Sequence, residues 1–338
     1  MIQEVELKDF KNISHQIFEF KPITVFTGKN STGKSSVIQS ILYSMIFASK
    51  ETSSLLSKVV SFNESIRNKY NNSKEVYIKI VADGRSYDAK VTFSDTMRIT
   101  FDNKERFLRY EDNLFYLSAN RRGYETISLI SPTYKVGFEG QYVFATYEME
   151  KSNPVIPQLV KFKESETLAS QVSYWLEYIL GVGSIDVQTQ RIAGDNVVLS
   201  YNADGIQGIS PQNLGAGVSY LAQILITCLR AKQNDVIMIE NPEIHLYPAA
   251  QARLSEFFVF VANAEIQLVL ETHCGFILDK LCYSVYQKEI DKDNIALYYK
   301  NSIREDFWKI NINSDGKFSK ELPDDFFAPT LSDLLNMN

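Results

Sequence analysis

Histidine and cysteine are scarce in this 338-residue chain: His15, His245 and His273, and Cys228, Cys274 and Cys282. The cysteines make neither a CxxC pair nor an even framework, which argues against a disulfide scaffold and for a reduced, intracellular protein. A zinc site would have to recruit acidic ligands, and no spacing suggests one. No apolar run approaches the roughly 18 residues of a membrane span; the longest, around 220–229 and 257–262, are core-sized. The opening MIQEVELKDF places charges where a signal peptide needs its apolar stretch. Heptads never persist beyond three repeats, which excludes a long coiled-coil arm, and internal repeats and low-complexity tracts are absent too. A soluble, cytoplasmic protein with no membrane contact is expected.

Hydrophobic residues make up 45% and charged residues 22%, ordinary values for a globular chain with a sizeable core. The net charge of −6 conceals an asymmetry. Residues 1–165 hold 23 Lys+Arg against 19 Asp+Glu, and residues 166–338 hold 12 against 22. Such a split marks either an interaction face or simple solvated surface.

Short strands are predicted in the first twenty residues, where apolar positions alternate with polar ones. Ile23, Thr24, Val25, Phe26 and Thr27 read as a buried strand that runs directly into a glycine loop and a helix from Ser36. Residues 51–75, rich in Ser, Asn and Lys, read as a mobile insertion. Residues 76–110 read as an antiparallel meander with a turn at Asp83 and Gly84 and a strand over 97–101. One apolar face formed by Leu168, Val172, Trp175, Leu176 and Ile179 predicts a helix over about 166–180. Helix then alternates with strand: helices over 218–230 and 249–262, strands over 236–239 and 266–270. This alternation predicts an α/β architecture.

The loop Gly28-Lys29-Asn30-Ser31-Thr32-Gly33-Lys34-Ser35, followed by Ser36, satisfies G-x-x-x-x-G-K-[ST], the Walker A motif. Its glycines let the backbone wrap phosphates, and the amide hydrogens and the following helix end supply positive potential. Lys34 then reaches the β/γ-phosphates of ATP, and the Ser35 hydroxyl ligates Mg²⁺. An apolar strand ending in an acid, Val236-Ile237-Met238-Ile239-Glu240, offers a second metal ligand.

The residues that follow, Asn241-Pro242-Glu243-Ile244-His245-Leu246-Tyr247-Pro248, resemble the extended Walker B and D-loop of ABC-type ATPases, in the branch of SMC-like and overcoming-lysogenization-defect (OLD) proteins. Leu270-Glu271-Thr272-His273 is similar to that branch's switch histidine, and Asn213-Leu214-Gly215-Ala216-Gly217-Val218-Ser219 to its degenerate signature loop. The start (Leu7 to Asn12), the strand-to-arginine element Tyr116 to Arg121, and the tail Asp315-Gly316 through Asp325-Phe326-Phe327 extend the likeness. That tail resembles compact defence-associated members such as Septu-type ATPases.

The resemblance implies one composite P-loop NTPase domain over 1–338: a mixed sheet core, an antiparallel β subdomain and a helical insertion. Residues 1–50 form the P-loop lobe, 51–210 the subdomain and insertion, and 211–338 the signature, Walker B and switch lobe. It implies ATP and Mg²⁺ as cofactors, the latter on Ser35 and Glu240. It also implies a homodimer or higher oligomer around ATP, with Gly215 and Gly217 reaching the partner's nucleotide. Glu240, Glu243 and His273 are the catalytic candidates, and Asn241 also faces the nucleotide. Asn241 occupies the place of the family's usual catalytic glutamate, and an amide orients water but cannot take its proton. Two readings follow, Glu243 in that role or slow hydrolysis with ATP chiefly a dimer switch; slow, partner-dependent hydrolysis with Glu243 as the candidate base is expected. Taken alone, Arg121 and Arg122 read as surface charges. No Toprim-like carboxylate cluster follows His273, and Asp324 and Asp325 do not make one, so a nuclease effector is expected in a partner chain. The resemblance implies an ATPase subunit that regulates this effector in prokaryotic antiviral defence; the alternatives are a DNA-repair or DNA-end-sensing ATPase with DNA or RNA contact, and a nucleotide-dependent non-hydrolysing scaffold.

Overall fold

The computed structural model describes residues 1–48, 63–93, 97–101, 108–320 and 322–323. Asp324 to Phe327 and residues 51–62 of the expected insertion lie outside that set; residues 63–66 form a short 3₁₀ turn.

Six strands form the sheet that carries the site. Their order is β15 (Trp308–Ile310), β14 (Ile295–Lys300), β3 (Ile23–Gly28), β13 (Gln267–Glu271), β12 (Val236–Glu240) and β7 (Leu114–Leu117). All neighbours are parallel except β15 against β14. Every residue of β3, β12, β13 and β14 is buried, as expected of parallel strands covered on both faces.

Strand alternation divides their side chains between two cores. Phe26, Val236, Met238, Val269 and Tyr298 face helix α1 (Ser35–Ala48) and an antiparallel sheet ordered β2 (Ile13–Glu19), β1 (Ile2–Phe10), β4 (Glu75–Ala82), β5 (Arg85–Phe93) and β6 (Met97–Phe101). The expected meander therefore exists, and the first two strands complete its sheet.

On the other face, Val25, Ile237, Ile239, Leu268 and Leu270 pack against five helices: α2 (Val143–Glu150), α3 (Leu168–Leu180), α4 (Ala216–Leu229), α5 (Pro248–Asn263) and α6 (Gly275–Tyr286). A small antiparallel sheet of β8 (Ile127–Leu129), β9 (Ile185–Arg191), β10 (Asn196–Ala203) and β11 (Ile206–Ile209) lies beside them. Local chemistry sets the helix ends. Thr167 caps α3 by accepting from Ser170 N, and Gly181 ends it in the left-handed region at φ 62°. Among the described residues no helix is long and apolar enough to cross a membrane. The fold is a mixed α/β P-loop architecture, as expected, and among the described residues there is no long coiled coil.

Candidate functional site

Ligands of open parallel sheets sit beyond the carboxyl ends of the strands, and here three adjacent strands, β3, β13 and β12, deliver the chemistry. The loop of residues 28–35 leaves β3 and enters α1. Gly28 has φ 130°, and a Cβ there would lie 2.1 Å from the Lys300 carbonyl oxygen, so the start of the loop accepts only glycine. Gly33 has φ 101° and packs on the Asn12 side chain, which donates to the Thr32 carbonyl. Lys34 is buried in the loop, with Nζ 2.6 Å from the Lys29 carbonyl. The exposed Lys29, Asn30 and Ser31 form the outer rim of the loop, and Ser36 lies against Asn12.

The parallel register sets Glu240 beside Glu271, the last residues of β12 and β13. Both project to the α1 side by the same alternation that sends Met238 and Val269 there. Glu271 escaped sequence reasoning, yet its Oε1 accepts from the Ser35 hydroxyl at 2.9 Å. Its only sequence signal was an acid ending an apolar strand, two residues before His273.

Glu240 accepts weakly from Ala119 N at 3.4 Å. Glu243 follows two residues beyond the Asn241 turn, and its Oε1 accepts the His273 backbone N–H at 3.1 Å. One oxygen of each of the three carboxylates is buried without a hydrogen-bond partner. That is the state a hard cation or a proton would relieve. Among the described residues no three His, Cys, Asp or Glu side chains are placed to hold a metal by themselves. The donors nevertheless fit Mg²⁺, which is usually held by one or two carboxylates, a hydroxyl and the substrate's phosphates.

Electrostatics follow from burial. Glu271 is pushed up to about 7 by burial and then by its neighbour Glu240, against the pull of Ser35 and Lys34. Glu240 is raised by burial, opposed by the neighbouring Tyr116 hydroxyl, Ala119 N–H and the Arg121 and Lys11 charges. Glu243 is raised for the same first reason. Lys34 is lowered by burial, with Glu271 opposing. His273 is exposed, and partial desolvation and then the Lys34 charge lower it, opposed by a contact with the Gly28 backbone. Glu243 and His273 line one cavity of about 400 Å³ with Gln251, Cys274 and Phe276.

Arg121 and Arg122 differ. Arg122 is exposed and paired with Glu125 and Glu139, as a surface charge should be. Arg121 corrects the surface reading. It is 3% exposed, and its guanidinium donates to the carbonyls of Ser118 (3.0 Å), Glu240 (2.6 Å) and Asn241 (2.9 Å) while lying over the Tyr220 ring. It thereby fixes the turn after β12. Asn241 adopts φ 44°, a left-handed conformation that asparagine tolerates better than glutamate; its N–H donates to the Glu271 carbonyl.

The signature-like loop splits its two glycines. Gly215 is exposed at the N-terminus of α4, whereas Gly217 is buried, with room for no Cβ: one would sit 2.5 Å from the His245 carbonyl oxygen. His245 stacks on Tyr220, a packing role.

Residues 4–171 match an AAA domain family, and residues 151–279 match the AAA domain family described with the AbiEii toxin of Type IV TA systems. No curated protein matches the chain significantly. Among solved structures, an SMC head bound to the C-terminal winged-helix domain of ScpA superposes with a TM-score of 0.56 at 13% identity, covering 92% of this chain and 98% of that one. An SMC head with an extended coiled coil, bound to the C-terminal domain of ScpA derived from Pyrococcus furiosus, gives 0.54 at 12% identity, covering 99% and 98%. The fold is that of SMC head domains.

Proposed function

We propose that the chain is a nucleotide-operated switch: it binds Mg-ATP in the loop of residues 28–36, hydrolyses it slowly, and pairs with a second copy while ATP is bound. The observation that carries this reading is the meeting of Lys34, Ser35, Glu240, Glu271, Glu243 and His273 at the carboxyl ends of three adjacent strands. Ser35 and Glu240 would hold Mg²⁺, which when bound offsets charge on the phosphates. The loop amides and Lys34 hold the polyphosphate. Asn241 can orient a water but not deprotonate it, so the base is Glu243, whose burial raises its basicity and whose carboxylate is aimed by the His273 N–H. The His273 imidazole is suited to accept a hydrogen bond from that water or to donate one to a terminal phosphate.

ATP shifts a pairing equilibrium by its differential affinity for the two states, with exposed Gly215 facing the second copy's nucleotide. The partner fed by this switch is proposed to be an effector protein in trans, a nuclease of a prokaryotic antiviral system. The Septu-like tail and the match of residues 151–279 to a domain family of AbiEii-type toxin systems support that role, and the ScpA-bound heads support docking of a partner on this fold.

The test is light scattering and ATP turnover on one preparation. Glu243→Gln should lower turnover about 10²–10⁴-fold and trap a Mg-ATP dimer. Unchanged turnover would remove Glu243 as base, and an unchanged mass with ATP would remove the dimer switch. Asn241 favours one second reading, a non-hydrolysing scaffold, which predicts background turnover in both proteins while the mass still changes.

A further inference from the structure

Of the three carboxylates of the site, Glu240 and Glu243 carry the roles proposed above and Glu271 has none. Glu240 and Glu271 are 9% and 7% exposed, in register on adjacent strands, and each keeps one buried oxygen without a partner. The cations around them are engaged elsewhere: Arg121 with backbone carbonyls, Lys34 with the Lys29 carbonyl, Lys11 with the Gln39 side chain. Among the described residues no ion pair within 4.0 Å joins a cation to Glu240, Glu243 or Glu271. The Ser35 hydroxyl, the group a metal–nucleotide complex would use, is already donated to Glu271.

We infer that Glu271 is a second carboxylate of the cation site and makes it an obligatory gate, so that a nucleoside triphosphate enters the loop only together with a divalent cation. This rests on the nucleotide reading above. A free triphosphate held in the loop brings several negative charges towards Glu271 and Glu240, in a buried setting where charges are poorly screened. A divalent cation supplies ligand sites for the two orphaned oxygens and frees Ser35 from Glu271. The gate therefore selects the metal complex over the free polyphosphate.

The experiment is a titration of the full chain with a fluorescent ATP analogue at fixed ionic strength, in excess Mg²⁺ and in EDTA, for wild type and Glu271→Gln. Wild type should bind at least a hundredfold more tightly with Mg²⁺. Glu271→Gln should bind the metal-free analogue at least tenfold more tightly than wild type does, with a smaller gain from Mg²⁺. A wild-type ratio below a hundredfold overturns the gate without any variant having to fold. Metal-free binding unchanged or weakened in Glu271→Gln overturns it too, reducing Glu271 to a partner that positions Ser35. Wild type that binds in neither buffer overturns the nucleotide reading itself, and the gate with it; equal binding in both buffers overturns the gate alone.

Discussion

Replacing Arg121 by Met keeps most of the apolar stem and removes the guanidinium that pins the turn after β12. Three carbonyls, of Ser118, Glu240 and Asn241, lose a charged donor. Hydrogen bonds to charged groups contribute about 1.5–3 kcal/mol each, so three represent roughly 4.5–9 kcal/mol before any offset. The offset is the cost of burying the cation. Arg121 is lowered to about 10 from 12.5, because burial outweighs the help of Glu243, Tyr220 and Glu240. At about 1.4 kcal/mol per unit this deficit is on the order of 3 kcal/mol. The net expectation is a loss of about 1.5–6 kcal/mol, centred near 3–4. Denaturant unfolding of wild type, Arg121→Met and Arg122→Met measures it. Arg122 is exposed and its two ion pairs should together contribute under about 1 kcal/mol. A loss below about 1 kcal/mol for Arg121→Met, or equal losses at both positions, would refute the claim that Arg121 clamps the site.

Two further outcomes follow from the same contacts. Gly217→Ala must push a Cβ against the His245 carbonyl; overpacking of about 1–3 kcal/mol outweighs the roughly 1 kcal/mol gained from helix propensity. Thermal unfolding should show a lower Tm by a few degrees, and an unchanged Tm would show that the loop yields freely. Lys300 is 1% exposed at the end of β14, beneath Phe307, and burial lowers it to about 8. Below pH 8 the cost of the buried charge is fully present; between about 8 and 10.5 the folded state has shed a proton the unfolded state still holds, so stability rises with pH. Lys300→Met should therefore be more stable than wild type at pH 7, by on the order of 1–2 kcal/mol after screening, and the gap should close towards pH 10. A constant gap across that range would contradict the assignment.

The Walker A loop was legible because its chemistry is local: glycines, lysine and serine at fixed spacing between a β-branched strand and a helix. Glu240 and the strands over 236–239 and 266–270 were legible for the same reason, since burial on both faces demands uninterrupted apolar runs. Arg121 was not. Nothing adjacent in sequence reveals that three carbonyls, two of them about 120 residues away, will surround it. Glu271 was missed because its meaning depends on strand order: only the insertion of β13 between β3 and β12 brings it to Ser35. The membership of β1 and β2 in the sheet of β4 to β6 is likewise non-local, fixed by pairing such as Val5 with Ile80. The two signature-like glycines look equivalent in sequence, and only packing against His245 separates buried Gly217 from exposed Gly215.

The most direct test of the central claim is calorimetric titration of Mg-ATP into wild type and Lys34→Ala. Lys34 lies inside the loop with its Nζ on the Lys29 carbonyl, poised to exchange that neutral partner for a phosphate. The account predicts one nucleotide per chain for wild type and an affinity loss of about a hundredfold or more for Lys34→Ala, from removal of a charge-assisted contact of roughly 3 kcal/mol. Absence of binding to wild type, or equal affinity in the two proteins, would contradict it.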